Sequence, residues 1–146
     1  VIWASPCKST ALETTHLLQK RYVRLISYAM FGAHSKPLFY KLDILNIYDL
    51  CRYQILLFVF KSINCLLPSR YTNYFTFTKE MYRYQTRSSK DRKLLTATAQ
   101  RSARINTLAS RGPKCWNSLP TTIRSSLSQR TFKTSVKAHF LSQYID

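Results

Sequence analysis

A mainly α-helical protein is expected from this sequence: an irregular helical bundle around a central apolar helix, with an extended loop or short strand pair in the middle. Three features point there. The 146 residues include only two glycines, Gly32 and Gly112, whereas a sheet-rich chain needs more of them for its tight turns. Apolar residues recur at helical spacing near the start, in the middle and at the end of the chain. Ser, Thr, Asn and Pro stand where those periodic stretches begin, as helix caps and first-turn residues do.

Ser9 or Thr10 is placed to cap a helix that begins near Ala11, with Glu13 in its first turn. Leu18, Tyr22, Leu25 and Ala29 form its apolar stripe, Lys20, Arg21 and Arg24 lie on other faces, and Gly32 is its expected stop. Pro37 suits the opening of a short helix through Leu42, with Ser35 nearby as a cap. Asn46 is a good N-cap for the next helix, which is expected to reach about Asn64, and Asp49 falls at its third position. Leu50, Tyr53, Leu57 and Phe60 mark one stripe, but Ile55, Leu56, Phe58 and Val59 surround it. A helix apolar on nearly every side belongs in the middle of a core. Pro68 ends it and starts a short helical turn.

Residues 76–104 change character, and Tyr, Thr, Arg and Ser replace the apolar periodicity. A basic loop is expected there, with a short strand pair near Leu94–Ala97 and Arg104–Leu108. The nonamer GPKCWNSLP at 112–120 reads as a structural corner. Gly112 permits a positive φ, Pro113 is preset for a first helical turn, and Pro120 opens another short helix carrying Ile123 and Leu127. Trp116 sits on one or two turns of helix and drops its ring onto the core, with Leu119 as its companion. Ser128 caps a last helix through about Tyr144, on which Phe132, Val136 and Phe140 share a face.

Length suits one domain spanning residues 1–146, and 45% hydrophobic against 20% charged residues excludes wholesale disorder. The charge is one-sided. Residues 1–68 carry eight bases and three acids, net +5, and residues 69–146 carry fifteen and three, net +12. Such a field attracts polyanions, so nucleic acid is the first partner expected; a merely basic surface is the rival account. The longest apolar run, Ile55–Phe60, is too short to span a bilayer, so no membrane partner is expected. No basic segment precedes an apolar stretch at the start, so a secretory signal is not supported. The chain begins with Val1 and reads as a fragment of something longer.

Chemistry is hard to place on these residues. Cys7, Cys51, Cys65 and Cys115 make no CxxC, and His16, His34 and His139 supply no zinc spacing, so no metal site is expected. Cys51 and Cys65 read as thiols packed along the apolar helix. The six acids form no DxD or DD pair, there is no glycine-rich phosphate loop and no GxSxG elbow. The expectation is no enzyme in this chain, no catalytic residue and no cofactor. Binding features are better. Residues 81–93 interleave Tyr82 and Tyr84 with Arg83, Arg87, Arg92 and Lys93. Aromatic faces there can stack on unpaired bases while the cations hold phosphates, or the tyrosines can tuck into the edge of the core. Lys20, Arg21 and Arg24 make a second basic patch, for which a solvated helix face is the plainer account.

Several segments, read in order, resemble one family. LLQKRYVRLIS at 17–27, HSKPLFYKLDILNIYDL at 34–50 with the apolar stretch ending in Leu67–Pro68, TRSS at 86–89, and GPKCWNSLPTTIRSS with FKTSVKAHFLSQY at 112–144 are similar to the tail of LINE-type (non-LTR, jockey-like) retrotransposon reverse transcriptases. Cys115 stands where that pattern has leucine, as does Val136. The resemblance implies a post-thumb C-terminal region of an RNA-directed DNA polymerase, working in the nucleus or cytoplasm and not secreted. The family's Tyr/Phe-Ala-Asp-Asp box is absent, so catalysis is not carried over. It further implies element RNA or target DNA and the upstream polymerase core as partners. Trp116, Asn117, Leu119, Pro120 and Phe132 then look architectural. On charge and position, and not on the family pattern, Lys114 joins the seven cations above as an expected phosphate contact. The rival readings are a docking segment for the polymerase core, or a degenerate relic without selected function.

Overall fold

Asn46 shows how local chemistry sets the helix starts. Its side-chain Oδ1 accepts from the backbone N–H of Asp49 at 2.9 Å, and its Nδ2 donates to the Asp49 carboxylate at 2.7 Å. This reciprocal cap starts α3, Ile47–Ile63. The protein, seen in a computed structural model that describes residues 10–72, 74–81, 91–96 and 107–145, is mainly helical. Before α3 come α1, Thr10–Ile26, and α2, Ser35–Lys41. After it come a 3-10 turn at Ser69–Tyr71, α4 at Thr78–Met81, α5 at Leu108–Asn117, α6 at Thr121–Arg124 and α7 at Gln129–Ser142. The chain divides into two compact units, one of Val1–Tyr53 with Thr134–Asp146, the other of Gln54–Lys133.

In the first unit, α1 turns an unexpected face inward. Its buried residue is Val23, while Leu18, Tyr22 and Leu25 of the expected stripe are exposed. The reason lies in Gln19. Its amide donates to the Leu45 carbonyl and accepts from the Ile47 N–H, each at 2.9 Å. Satisfying that loop backbone fixes the side of α1 that faces inward. α1 also ends at Ile26 and not at Gly32. Tyr28 takes the left-handed conformation at φ 50°, and the Ala29 N–H bonds the Arg24 carbonyl at 3.0 Å. The same closure recurs with Asp43 after α2 and Cys65 after α3, at φ 56° and 55°. Cys65 is therefore exposed beyond the helix end and not packed along it.

The second unit has an aromatic interior. Ile55, Leu56, Val59 and Phe60 of α3 are buried. Phe60 stacks on Phe132 with ring centroids 4.4 Å apart, and Trp116 lies 5.7 Å from Phe132. Phe58 meets Phe75, Tyr71 and Tyr74 edge-on. Ser62, fully buried, donates to the Tyr71 carbonyl and ties α3 to the 3-10 turn.

Gly112 does not use a positive φ, and Pro113 does not open its helix. α5 begins at Leu108 and runs through both. A Cβ on Gly112 would lie 2.7 Å from the Phe75 ring and 3.1 Å from Val59, so the residue is a glycine because two side chains press on its backbone. Ile123 is buried as expected, but Leu127 is 93% exposed. Inside the region read as a basic loop, Thr78–Met81 form a single turn of helix. Leu94 pairs with Phe77 in one isolated antiparallel bridge, and residues 97–106 of the expected strand pair lie outside those described.

Candidate nucleic-acid interface

Two of the predicted cations, Arg92 and Lys93, lie on a short segment whose backbone is held by the Trp-Asn pair. The indole Nε1 of Trp116 donates to the Arg92 carbonyl at 3.0 Å. Asn117 closes a second, two-way link: it accepts from the Leu94 N–H and donates to the Leu94 carbonyl, both at 2.9 Å. The side chain of Asn117 thus copies the pattern of a neighbouring strand. On the opposite side, Thr78 gives both its N–H and its hydroxyl to the Lys93 carbonyl at 3.0 Å. The Trp116 ring is 1% exposed and Leu94 equally so. Five polar contacts therefore fix the backbone from which Arg92 and Lys93 project.

Those two cations differ in freedom. The Arg92 guanidinium sits 5.9 Å from the Phe77 ring centroid, and its backbone is left-handed at φ 51°. Lys93 pairs with Asp91 at 3.6 Å, an exposed contact of little energetic weight. Lys114 is exposed on α5, two residues before Trp116. Of the residues expected to be architectural, Trp116, Leu119 and Phe132 are buried. Pro120 is exposed and stands at the start of α6, where its carbonyl accepts from Ile123 and Arg124. Tyr82, Arg83, Tyr84 and Arg87 lie outside the described residues.

In the first unit, the patch of Lys20, Arg21 and Arg24 is split. Arg21 and Arg24 line a cleft of about 440 Å³ whose other walls include Leu18, Tyr22, Leu25 and Phe31. Arg24 is partly committed, since its Nε donates to the Ala33 carbonyl at 2.9 Å. Lys20 lines a different cleft, with His16, His34 and Lys36. The His16 ring meets Tyr48 edge-on at 5.1 Å. Burial, and then the Lys20 charge, hold its imidazole below the usual 6.5, while Asp49 and Gln19 pull the other way.

The sequence reading did not single out Lys36 or His34, because nothing in their spacing ties them to α1. His16 and Lys20 stand four residues apart on one helix, and that spacing was available as a signal. Arg124 was missed as well. It is 4% exposed, its Nη2 donates to the Thr121 hydroxyl at 3.2 Å, and its Nε and Nη1 have no partner among the described residues. No group of three His, Cys, Asp or Glu is placed to hold a metal ion among the described residues. No helix among them is long and apolar enough to cross a membrane. Comparison with family models, with curated proteins and with solved structures finds no match to this chain.

Proposed function

We propose that this chain is a non-catalytic C-terminal region of a LINE-type retrotransposon reverse transcriptase that holds RNA or DNA phosphates through a basic face. The observation that carries the binding half is the charge of residues 69–146, fifteen bases against three acids. The placement of Arg92 and Lys93 on a pinned segment supports it, because a fixed backbone lowers the ordering cost of a phosphate contact. The family half rests on the sequence resemblance alone.

The experiment is a salt titration of binding to single-stranded RNA by fluorescence anisotropy. With 6–10 phosphate contacts, affinity should fall by roughly 10³–10⁵ between 50 and 200 mM salt. A flat response overturns the proposal. One observation favours the docking reading: Leu25 is 72% exposed, and Met30 and Phe31 are each 86% exposed. An apolar face of that kind suits contact with a neighbouring protein surface such as a polymerase core.

A further inference from the structure

The cleft that contains Lys20 brings together cationic and imidazole side chains from two helices. Lys20 and His16 reach it from α1, while His34 and Lys36 reach it from the start of α2. No Asp or Glu lines it. The acid whose field reaches His16 is Asp49. That carboxylate is already engaged by the Tyr144 hydroxyl at 2.6 Å, by Asn46 at 2.7 Å and by Arg52 at 3.4 Å. Two ammonium groups therefore face the cleft without a carboxylate partner among the described residues. His16 lines the same cleft beside Lys20. Its lowered basicity keeps the imidazole neutral at pH 7, able to serve as donor or acceptor by choice of tautomer.

Size narrows the ligand. The cleft holds about 560 Å³, within the range of sites that take ligands of several rings, and a bare phosphate would occupy a small part of it. Pro37 gives it an apolar wall, with Phe39 buried behind it. A lining that combines cations with apolar groups suits a molecule with an anionic group and a flat ring. We infer that this cleft binds a nucleoside monophosphate unit, with its phosphate on Lys20 and Lys36 and its base against the Pro37 wall. The unit is either a free mononucleotide or the 5′-phosphorylated end of a strand. The second source rests on the nucleic-acid reading above; the site itself does not.

The test uses the full chain and two probes. In an amide NMR titration, AMP should move the signals of residues 16–20 and 34–39, and adenosine should not. Lys20→Gln with Lys36→Gln should weaken AMP at least about tenfold, the scale of one or two lost charge-assisted hydrogen bonds. Arg70→Gln with Lys79→Gln, which removes the same charge from exposed positions in the second unit, should leave AMP binding unchanged. Absence of AMP shifts at these residues, or an equal loss in the control pair, overturns the site. An oligonucleotide with and without a 5′-phosphate separates the sources. Tighter binding of the phosphorylated form supports the strand end, and equal binding with AMP intact supports the free nucleotide. A flat salt response with AMP binding intact sinks the RNA reading and spares the site; a steep one without AMP binding does the reverse.

Discussion

Tyr144 donates its phenolic hydrogen to Asp49 at 2.6 Å, joining residues 95 apart in the sequence. Its oxygen also accepts from the Asn46 N–H at 3.1 Å, so one hydroxyl secures both ends of the α3 cap. Burial and the neighbouring carboxylate push the Tyr144 hydroxyl well above the usual tyrosine range. Replacing Tyr144 with Phe should lower stability by about 1.5–3 kcal/mol, the range for a hydrogen bond to a charged group. Urea denaturation measures it. A loss that persists unchanged in an Asp49→Asn background would show that the pair is not coupled.

Asn117 is the sharper probe of the corner. Asn117→Ala leaves the N–H and carbonyl of Leu94 without their partner, and the expected loss is about 2–4 kcal/mol from two unmet backbone groups. Trp116→Ala should cost about 3–5 kcal/mol, and Trp116→Phe less, since it keeps one ring while losing the bond to Arg92 and part of the buried volume. A Trp116→Ala protein that melts like the parent would refute the buried placement of the ring.

Gly112→Ala should destabilise by about 1–3 kcal/mol through overpacking against Phe75 and Val59. A second change, Phe75→Leu, should recover part of that loss if the ring is the obstacle. Stabilisation by the alanine, as occurs at an open helical glycine, would contradict the close approach.

Tyr28→Gly should act in the opposite direction. Tyr28 is 99% exposed and left-handed, so its ring packs on nothing that glycine would forfeit. Relief of that backbone conformation should raise stability by about 1 kcal/mol. Thermal unfolding would report it as a higher Tm.

Much of this architecture was readable in the sequence, and the exceptions have physical causes. The α3 cap at Asn46, the α7 start at Ser128 and the face of Phe132, Val136 and Phe140 follow from local rules, because caps and 3.6-residue periodicity need no partner to be recognised. The orientation of α1 was not readable. Its apolar stripe is real, but Gln19 bonds to a loop 26 residues away and settles the matter by a polar contact. The end of α1 was misplaced for a related reason. With two glycines in the chain, its left-handed closure falls to Tyr28, which carries no such signal, whereas the ends of α2 and α3 fall within a residue of those expected. The split of Lys20 from Arg21 and Arg24 also depends on where α2 packs, which spacing along α1 does not encode.

Acid should weaken the first unit through His16. Its folded-state imidazole titrates below 6.5, so the unfolded chain binds the proton more readily. The contribution is complete above about pH 6.5 and fades as pH falls through the lowered value. Denaturant midpoints at pH 7.5 and pH 5.0 should differ more for the parent than for His16→Gln. Equal differences would assign the acid sensitivity elsewhere.

The exposed apolar residues at the end of α1 and just beyond it have a practical consequence for handling this protein. At low ionic strength, mutual repulsion between molecules carrying +17 keeps their greasy patches around Leu25, Met30 and Phe31 apart. At 1 M salt the screening distance shrinks to about 3 Å, and that protection disappears. Clumping should therefore set in as the buffer is made saltier, and Leu25→Lys should postpone it.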